Sequence, residues 1–297
     1  MKITRFCPAK VNLFLEVTGK RPNGYHELAT LFAKIKLGDT LTLEAQESNE
    51  TSFLLKLSGP VGQHLRADET NLCCRAARGF LEHFGLQARV EMSLYKRVPT
   101  GAGLGGGSSD AAATLLALCD TFGKDKKELL PLAATLGADV PLFMYDEPFL
   151  KGEGIGEILT PFVPGTSLPW LVLVYPNAFI STKMVFGNFH LADSAEINAN
   201  TERLNKLIAC IQTAQPVSAW EPYLFNRLEQ CVAPISQPVQ QALTDLKQAG
   251  ASAVMMSGSG STVFALMPTQ EEAKALAERI SHAERTIFCT PFYTAAK

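Results

Sequence analysis

The chain has 297 residues, of which 19% are charged, and its formal net charge is −2. This nearly neutral balance argues against a nucleic-acid groove or a membrane surface as its binding partner. The length is sufficient for two domains, or for one large domain, with a hydrophobic core in each.

Cysteine usage and the first residues bear on the cellular compartment. The seven cysteines are an odd number and form no C-x-x-C pair, and histidine is scarce. This composition indicates reduced thiols rather than disulfides or a zinc site. The first residues do not resemble a targeting segment, and no run of about eighteen apolar residues occurs. A cytoplasmic location is therefore expected.

Residues 3–17 predict strands that are interrupted at Pro8. Apolar residues alternate with others from position 11 to position 17, which places Asn12 on the face opposite the valines and leucines. Lys10 lies at a strand start, where a solvated surface lysine is the ordinary interpretation. A lysine with a function is the alternative.

Residues 20–27 are predicted to form a loop around an Asn23-Gly24 turn. Tyr25 and His26 follow this turn. An aromatic ring beside an imidazole that both donates and accepts hydrogen bonds is suited to gripping a planar base. An ordinary turn with a packed tyrosine explains the same residues.

Two strands and a helix are predicted next. Residues 40–45 and 53–57 have the composition of strands and are separated by a polar stretch. An amphipathic helix follows Asn71, with its apolar residues on one side, and ends at Gly85.

A glycine-rich loop from Lys96 to Asp110 is the most distinctive stretch of the chain, and it contains five glycines. Residues 89–95 before it alternate like a half-buried strand. The residues after it predict a helix that Ser108 or Ser109 caps and that ends at Gly123. A strand, a glycine loop and a helix N-terminus together form an anion site, because free N–H groups and the helix dipole face the ligand. Phosphate is the usual occupant.

Other motifs compete for this loop. The P-loop signature requires lysine after its last glycine, whereas Gly107 is followed by Ser108. The residues from Gly101 to Gly106 satisfy G-x-G-x-x-G, but a dinucleotide fold requires an acid that ends the next strand. Asp120 has about the required spacing and lies inside the predicted helix, so this match is interpreted as accidental. A flexible structural turn would seldom need five glycines followed by two serines.

Asp139 lies in the segment from Gly137 to Pro141, after a helix predicted over residues 126–136. Its apolar surroundings predict partial burial, and a buried carboxylate needs a partner. An aspartate before Val-Pro is also a common helix N-cap. Both interpretations stay open on the sequence alone.

A glycine-rich patch at residues 151–157, followed by several prolines, predicts a connector and a domain boundary. The segments predicted beyond it are a strand at 170–175, a short helix after Ser181-Thr182, a mobile loop at 192–200, helices at 201–214 and 238–249, a turn within 255–263 that joins two strands, a capping box at 269–272 and a last strand at 286–293. This order of strands, helices and hairpins favours an α+β fold over a doubly wound sheet.

Several of these segments together resemble the GHMP small-molecule kinases. The segments that carry the resemblance are Pro8-Ala9-Lys10-Val11-Asn12, Gly24-Tyr25-His26-Glu27-Leu28, the loop from Pro99 to Asp110, Gly137-Ala138-Asp139-Val140-Pro141, Gly154-Ile155-Gly156-Glu157 and Ser257-Gly258-Ser259-Gly260-Ser261. The resemblance is dense up to about Pro161 and thinner afterwards. Within the family, the extra glycines and the Tyr25-His26 pair are most similar to the branch whose substrate carries a cytidyl group.

The resemblance implies an α+β protein with two domains. Residues 1–160 are expected to form an N-terminal ATP-binding domain that resembles ribosomal protein S5 domain 2, and residues 161–297 a ferredoxin-like C-terminal domain, with the active site between the two. The implied reaction is ATP-dependent phosphorylation of the 2-hydroxyl of a cytidine diphosphate-linked methylerythritol in the non-mevalonate isoprenoid pathway. ATP is the implied co-substrate and Mg²⁺ the implied metal. The implied partner is this small molecule, with no nucleic acid and no membrane, and the implied assembly is a monomer or a weak homodimer.

The resemblance also implies which residues bind ATP and catalyse the transfer. Asp139 is the implied general base, and Lys10 is the cation that orients it. The implied ATP-binding residues are Lys96, Pro99, Thr100, Gly101, Ala102, Gly103, Leu104, Gly105, Gly106, Gly107, Ser108 and Ser109. No residue is assigned as a metal ligand, although Ser108 or Ser109 can offer Mg²⁺ an oxygen. The Asp110 side chain is expected to turn away from the phosphates, which would repel it.

The acceptor residues implied by the resemblance are five. Tyr25 and Phe186 are expected to stack on cytosine and His26 to read its hydrogen-bonding edge, while Asn12 and Thr182 make polar contacts. Phe186 and Thr182 lie in the part of the chain where the resemblance is thinner, and Lys183 stands where the family often has proline.

Other functions remain open. A different GHMP kinase would keep the same machinery but would not need the Tyr25-His26 pair. A catalytically silent sensor of small molecules would keep the fold, although the presence of Lys10 and Asp139 argues against it. A dinucleotide oxidoreductase is a remote third possibility.

Overall fold

The computed structural model describes residues 2–187, 189 and 191–294. The chain divides into two compact units, each made of several segments. The first unit comprises Met1–Ala9, Leu37–Thr100 and Gly105–Asp146, and the second comprises Lys10–Lys36, Gly101–Leu104 and Glu147–Lys297. The domain boundary expected between residues 160 and 161 stays a prediction.

The chain contains strands and helices in mixed order. The strands are β1 (Lys2–Lys20), β2 (His26–Glu47), β3 (Ser52–Ser58), β4 (Ala88–Tyr95), β5 (Phe149–Glu153), β6 (Ile158–Phe162), β7 (Trp170–Tyr175), β8 (Phe225–Asn226), β9 (Val254–Met256), β10 (Val263–Met267) and β11 (Thr286–Pro291). The helices are α1 (Leu72–Phe84), α2 (Gly106–Phe122), α3 (Leu130–Leu136), α4 (Thr182–Gly187), α5 (Ser194–Gln212), α6 (Val217–Trp220), α7 (Glu229–Val232), α8 (Gln237–Gln248) and α9 (Gln270–Arg279). Short 3₁₀ turns lie at Gly62–His64, Lys126–Leu129, Pro141–Met144 and Glu221–Tyr223.

In the first unit, helices cover strands. The C-terminal part of β2 pairs antiparallel with β4, and β3 pairs parallel with β4. α1 packs against α2, and the buried ring of Phe80 on α1 lies 6.1 Å from that of Phe122 on α2, measured between centroids. The two helices therefore share one apolar core.

In the second unit, β7, β9, β10 and β11 form an antiparallel sheet in the order β11-β7-β10-β9. Buried residues of α8 and α9, such as Leu246 and Leu276, join the apolar side chains of this sheet in one core. The N-terminal part of β2 pairs with β5, and the second half of β1 pairs with β8. The sheet holds the turn between β9 and β10 in place.

Several local predictions are confirmed. Asn71 caps α1 by accepting a hydrogen bond from the N–H of Cys73 at 3.0 Å, and Gly85 ends that helix in the left-handed region. Thr269 and Glu272 form the predicted capping box of α9. The α+β class is confirmed as well. Within the described part of the chain, no helix is both long and apolar enough to span a bilayer.

Three local predictions are wrong. β1 continues through Pro8, because the φ angle of proline is compatible with extended backbone. Residues 192–200 are not a loop, since Asp193 caps α5 by accepting from the N–H of Glu196 and the helix covers most of this segment. Residues 151–157 lie in the hairpin of β5 and β6 rather than in a connector.

Candidate active site

The glycine loop joins β4 to α2 through residues of alternating conformation. Gly101, Gly103 and Gly105 have φ angles of +65°, +75° and +69°. This left-handed region favours glycine because a Cβ atom would clash with the backbone. Alternation of the sign of φ can turn successive N–H groups toward one side, as in backbone nests that bind anions.

The start of α2 differs from the prediction. Gly105 is the N-cap and the helix begins at Gly106, so the expectation that Ser108 or Ser109 caps it is wrong. The left-handed glycine leads the chain into the helix without a side-chain cap, and the N–H of Ser109 donates to the carbonyl oxygen of Gly105 at 3.0 Å. The N–H groups of Gly106, Gly107 and Ser108 come before this first helical bond, so they have no acceptor within the helix.

The first half of the glycine loop contacts the turn between β9 and β10. A Cβ atom on Gly103 would lie 2.6 Å from the carbonyl oxygen of Ser257 and 2.8 Å from that of Gly260. The backbone N–H of Lys10 donates to the carbonyl oxygen of Leu104 at 2.9 Å. Three segments that are far apart in the sequence therefore meet in the second unit.

Lys10 is buried in this meeting place, so its interpretation as a solvated surface lysine is wrong. Only 5% of Lys10 is exposed, and its ammonium donates to Asn12 Oδ1 at 2.8 Å. The ammonium also lies 5.5 Å from the ring centroid of Phe32. A buried ammonium with short-range partners is held in one orientation.

Asn12 connects Lys10 with the β9–β10 turn. Its Nδ2 donates to Thr30 Oγ1 at 2.9 Å, and its backbone N–H donates to Ser257 Oγ at 3.3 Å. Both ends of the Asn12 amide thus have protein partners. The structure gives this residue the role of positioning Lys10, while its contact with a substrate stays a prediction.

Asn226 is a site residue that the sequence analysis missed. Its Nδ2 donates to the carbonyl oxygens of Met256 at 2.7 Å and of Gly258 at 2.8 Å. Glu229 accepts from the N–H of Met256 at 2.7 Å, and burial raises the pKa of this carboxyl. Asn226 and Glu229 therefore hold the β9–β10 turn. The sequence around Asn226 has no motif that would have revealed this.

Three of the predicted acceptor residues, His26, Thr182 and Phe186, lie on α4 or contact it. His26 stacks on Phe186 on α4, and Thr182 Oγ1 lies 2.9 Å from Ser259 Oγ in the β9–β10 turn. Tyr25 is 58% exposed, so the alternative of a packed tyrosine is wrong. Burial, and after it the charge of Lys20, lower the pKa of His26. The imidazole is therefore neutral at pH 7, with one donor and one acceptor nitrogen.

Asp139 belongs to the first unit, whereas Lys10 belongs to the second. The 3₁₀ turn after Asp139 begins at Pro141 and its N-cap is Val140, so the interpretation of Asp139 as an N-cap is wrong. Asp139 is half-buried. A Cβ atom on the nearby Gly137 would lie 4.0 Å from Ser108 Oγ, which places this segment beside the first turn of α2.

Lys96 is also buried. Its ammonium donates to Asp39 and to Asp110 at 2.5 Å each, and Asp39 is a second residue that the sequence analysis missed. Burial opposes the charge of Lys96, but the carboxylates of Asp110 and Asp39 outweigh it and raise the pKa of this lysine. Burial also raises the pKa of Asp110, against the effect of the Lys96 ammonium.

Potential metal ligands are few around the loop. Among the described residues, no group of three or more His, Cys, Asp or Glu side chains is arranged to hold a metal ion. Ser109 Oγ is buried and has no hydrogen-bond partner among the residues that the structure describes. One oxygen of this kind suits Mg²⁺, which binds proteins through one or two oxygen ligands and takes the others from phosphates and water.

The chain matches two family models. Residues 71–147 match the N-terminal domain of GHMP kinases, and residues 203–285 match the C-terminal domain of GHMP kinases. The first match includes α1, the glycine loop and Asp139, and the second includes Asn226 and the β9–β10 turn.

Curated relatives extend the similarity to most of the chain. A 4-diphosphocytidyl-2-C-methyl-D-erythritol kinase of Chlorobium chlorochromatii is 39% identical over 281 residues, which are 94% of this chain and 93% of the relative. The kinase of the same name from Chlorobaculum tepidum is 39% identical over 92% of each chain.

Solved structures have the same fold. A crystal structure of 4-(cytidine 5'-diphospho)-2C-methyl-D-erythritol kinase is 33% identical, with a TM-score of 0.75 over 98% of this chain and 99% of the other. Homoserine kinase from Cytophaga hutchinsonii is 20% identical, with a TM-score of 0.76 over 98% of this chain and 94% of the other. At that identity, the second likeness concerns the fold alone.

Proposed function

Because this chain belongs to the GHMP kinase family, we propose that it transfers the γ-phosphoryl group of ATP to the 2-hydroxyl of 4-diphosphocytidyl-2-C-methyl-D-erythritol. In this proposal the enzyme acts in the non-mevalonate pathway of isoprenoid precursor synthesis. The observation that carries the proposal is the 39% identity to a kinase of that name over 94% of the chain.

The glycine loop is proposed to bind the phosphates of ATP. The N–H groups of Gly106, Gly107 and Ser108 have no acceptor within α2, and the positive end of the helix dipole lies at the same place. The first turn of α2 contains no acidic residue that would repel an anion. Pro99, Thr100 and the residues from Gly101 to Gly105 form the approach to this helix.

Asp139 is proposed as the general base and Lys10 as the cation that orients it. In phosphoryl transfer, the protein mainly positions the nucleophile and stabilises developing charge, so one carboxylate near the attacking hydroxyl suffices. The location of the Asp139 segment beside the first turn of α2 supports this role. The hydrogen bond from Lys10 to Asn12 supports an ammonium of fixed orientation.

Mg²⁺ is proposed to enter with ATP. When bound, it neutralises charge on the phosphate oxygens. Ser109 Oγ is the oxygen that the loop offers it, and Ser108 is the second candidate.

His26, Phe186 and Tyr25 are proposed to recognise the cytosine, with Asn12 and Thr182 as polar contacts. A neutral imidazole has the donor and the acceptor that a base edge requires. The exposed ring of Tyr25 is open to stacking on a planar ligand. We further propose a cytoplasmic enzyme that acts on a small molecule as a monomer or a weak homodimer.

Phosphorus NMR of the purified protein with Mg-ATP and the diphosphocytidyl methylerythritol tests the proposal. We expect a new phosphomonoester signal and loss of the ATP γ-phosphate signal. Homoserine and mevalonate serve as control acceptors in the same experiment. Phosphorylation of either control acceptor, without the cytidyl product, would replace the proposed substrate while leaving the kinase family unchanged.

A further inference from the structure

The Lys96 ammonium lies between two carboxylates in the interior of the first unit. Its Nζ donates to Asp39 Oδ2 and to Asp110 Oδ2, each at 2.5 Å. The side chains of Lys96, Asp39 and Asp110 are 2%, 0% and 4% exposed. We refer to these three residues as the Lys96 cluster.

The Lys96 cluster connects the two ends of the glycine loop. Lys96 directly follows β4 and is the first residue of the loop, whereas Asp110 is the last residue of the loop and the fifth residue of α2. The hydrogen bond from Lys96 to Asp110 therefore closes the loop at its base. Helix α2 cannot shift relative to β4 without breaking this bond between buried charged groups.

Asp39 fixes the segment that enters the loop. Its Oδ1 accepts hydrogen bonds from the backbone N–H groups of Arg97 at 2.5 Å and of Val98 at 2.9 Å. Val98 in turn supports the start of α2, because a Cβ atom on Gly106 would lie 2.9 Å from Val98 Cγ1. The same Cβ atom would lie 3.5 Å from Asp39 Oδ2.

The Lys96 backbone is held closely as well. Its N–H donates to the carbonyl oxygen of Ser58 at 2.9 Å. A Cβ atom on Gly59 would lie 2.5 Å from the Lys96 carbonyl oxygen, so the backbone at Gly59 is in direct contact with the backbone at Lys96. Both the main chain and the side chain of Lys96 thus have protein partners.

We propose that Asp39, Lys96 and Asp110 are positioning residues that hold the glycine loop in its phosphate-binding conformation, and that the Lys96 ammonium does not contact the phosphates of the nucleotide. This inference rests on the proposed function, in which the loop binds ATP. A lysine that binds phosphate must present its ammonium to the anion. The Lys96 ammonium is instead directed into the protein, and the two carboxylates around it outnumber its single positive charge.

The two roles of Lys96 predict opposite effects of removing Asp110. If the cluster positions the loop, Asp110→Ala releases α2 from β4 and weakens ATP binding. If Lys96 binds phosphate directly, the same change leaves the ammonium with Asp39 as its one carboxylate partner in the cluster and removes a negative charge, so ATP binding stays equal or becomes tighter. Alanine favours helix, so the change itself does not disfavour α2.

The experiment measures the dissociation constant of a non-hydrolysable ATP analogue by calorimetry, at a temperature where each variant is folded. We expect Asp110→Ala to raise this constant roughly tenfold or more, because small displacements of binding groups are costly. Asp110→Asn keeps an acceptor oxygen for Lys96, and we expect it to restore most of the affinity. An unchanged or lower constant in folded Asp110→Ala would overturn the inference.

Two further variants separate this effect from a general loss of stability. Arg285→Met removes another ion pair, with Asp245 at 2.6 Å on α8, and should leave the dissociation constant unchanged. If Asp110→Ala does not fold, Asp39→Asn replaces it. Both oxygens of Asp39 accept hydrogen bonds, so the amide NH₂ of asparagine would face either the Lys96 ammonium or the N–H groups of Arg97 and Val98 and would disturb the cluster. Equal affinity in folded Asp39→Asn would then count against positioning.

The outcomes also separate this inference from the proposed function. A native protein that does not bind the ATP analogue would overturn both, since the loop would then not be a nucleotide site. A native protein that binds it, together with normal binding by Asp110→Ala, would overturn the positioning role alone.

Discussion

His26 stacks on Phe186, with ring centroids 4.9 Å apart and an angle of 24° between the ring planes. His26 follows the turn before β2, whereas Phe186 lies on α4, so the contact joins two segments that are distant in the sequence. It fixes the plane of the imidazole and hence the direction in which its nitrogen atoms point. Recognition of a base by His26 should therefore depend on Phe186.

His26→Ala is expected to weaken the cytidyl acceptor while leaving ATP unaffected. Loss of a hydrogen bond to a base edge leaves polar groups of the substrate unpaired, so KM for the acceptor should rise roughly 10- to 100-fold. Steady-state kinetics with each substrate varied in turn measure this. His83→Ala, which alters an exposed histidine on α1, is the control. Equal acceptance of cytidyl and uridyl substrates by the native enzyme would argue against base reading.

Binding of the acceptor should weaken in acid solution because His26 becomes protonated. Burial, and then the charge of Lys20, lower the pKa of His26 below the ordinary value of 6.5. We expect KM for the acceptor to stay constant from about pH 6.5 to about pH 8 and to rise only in more acidic solution. Protonation removes the acceptor nitrogen, so binding is lost as the pH falls. Lys20→Met should move this rise to higher pH, and an unchanged profile would contradict the assignment.

The same shift predicts how His26 affects stability. The folded state has the lower pKa, so the unfolded state binds more protons when the pH falls below the unfolded value. The contribution of His26 to the free energy of unfolding should therefore decrease in acid and be constant above about pH 6.5. Urea unfolding of the native protein and of His26→Ala, compared at several pH values, measures this contribution.

Gly107→Val should raise KM for ATP without unfolding the protein. Gly107 is exposed, its φ angle is not positive, and an added Cβ atom would meet only Leu72 Cδ1, at 3.4 Å. A branched side chain there would obstruct the approach of phosphate to the backbone, so KM should rise roughly tenfold or more. Gly105→Val is a poorer test, because φ of +69° makes that substitution strained in itself.

Gly19→Val is the matched control for Gly107→Val. Its Cβ atom would be in ordinary contact with Glu27 at 3.5 Å, and valine is favoured in strands. Both variants should melt close to the native temperature, and only Gly107→Val should lose affinity for ATP. A folded Gly107→Val with a normal KM would remove this part of the loop from the nucleotide site.

Much of the first unit was predictable because its signals are local. The cap at Asn71, the glycine that ends α1 and the alternation in β4 depend on residues that are close together in the sequence. The continuation of β1 through Pro8 was not predictable in this way. Proline usually interrupts a strand, and only the pairing of the whole sheet decides whether it does.

The residues of the candidate site that lie in a sequence motif could be predicted, whereas those that are placed only by tertiary contacts could not. The glycine loop and Asp139 stand in recognisable segments, although the helix cap was assigned to the serines. Lys10 was predicted to lie on the surface, because lysine is rarely buried without partners. Its partner Asn12 was visible in the sequence, but the burial of both depends on the β9–β10 turn. Asn226 acts through backbone carbonyls of that turn, a contact that has no sequence pattern.

Asp139→Asn is expected to reduce turnover by roughly two to four orders of magnitude, because it keeps the shape of the side chain but removes the proton acceptor. Lys10→Met should reduce turnover as well, and the two losses should not add in the double variant if both residues act on one proton transfer. Melting temperature and ATP binding serve as controls. An Asp139→Asn variant that binds both substrates and turns over at nearly the native rate would return this residue to a structural role.

The contact between Gly103 and the carbonyl oxygen of Ser257 joins residues 154 positions apart. Neither the glycine loop nor the β9–β10 turn can therefore be exchanged alone in a chimaera with another kinase. A transplanted loop with alanine at position 103 would collide with the recipient's turn, and a turn of different shape would displace the recipient's loop. The two segments form one exchangeable module, and successful chimaeras should be those in which both come from the same parent.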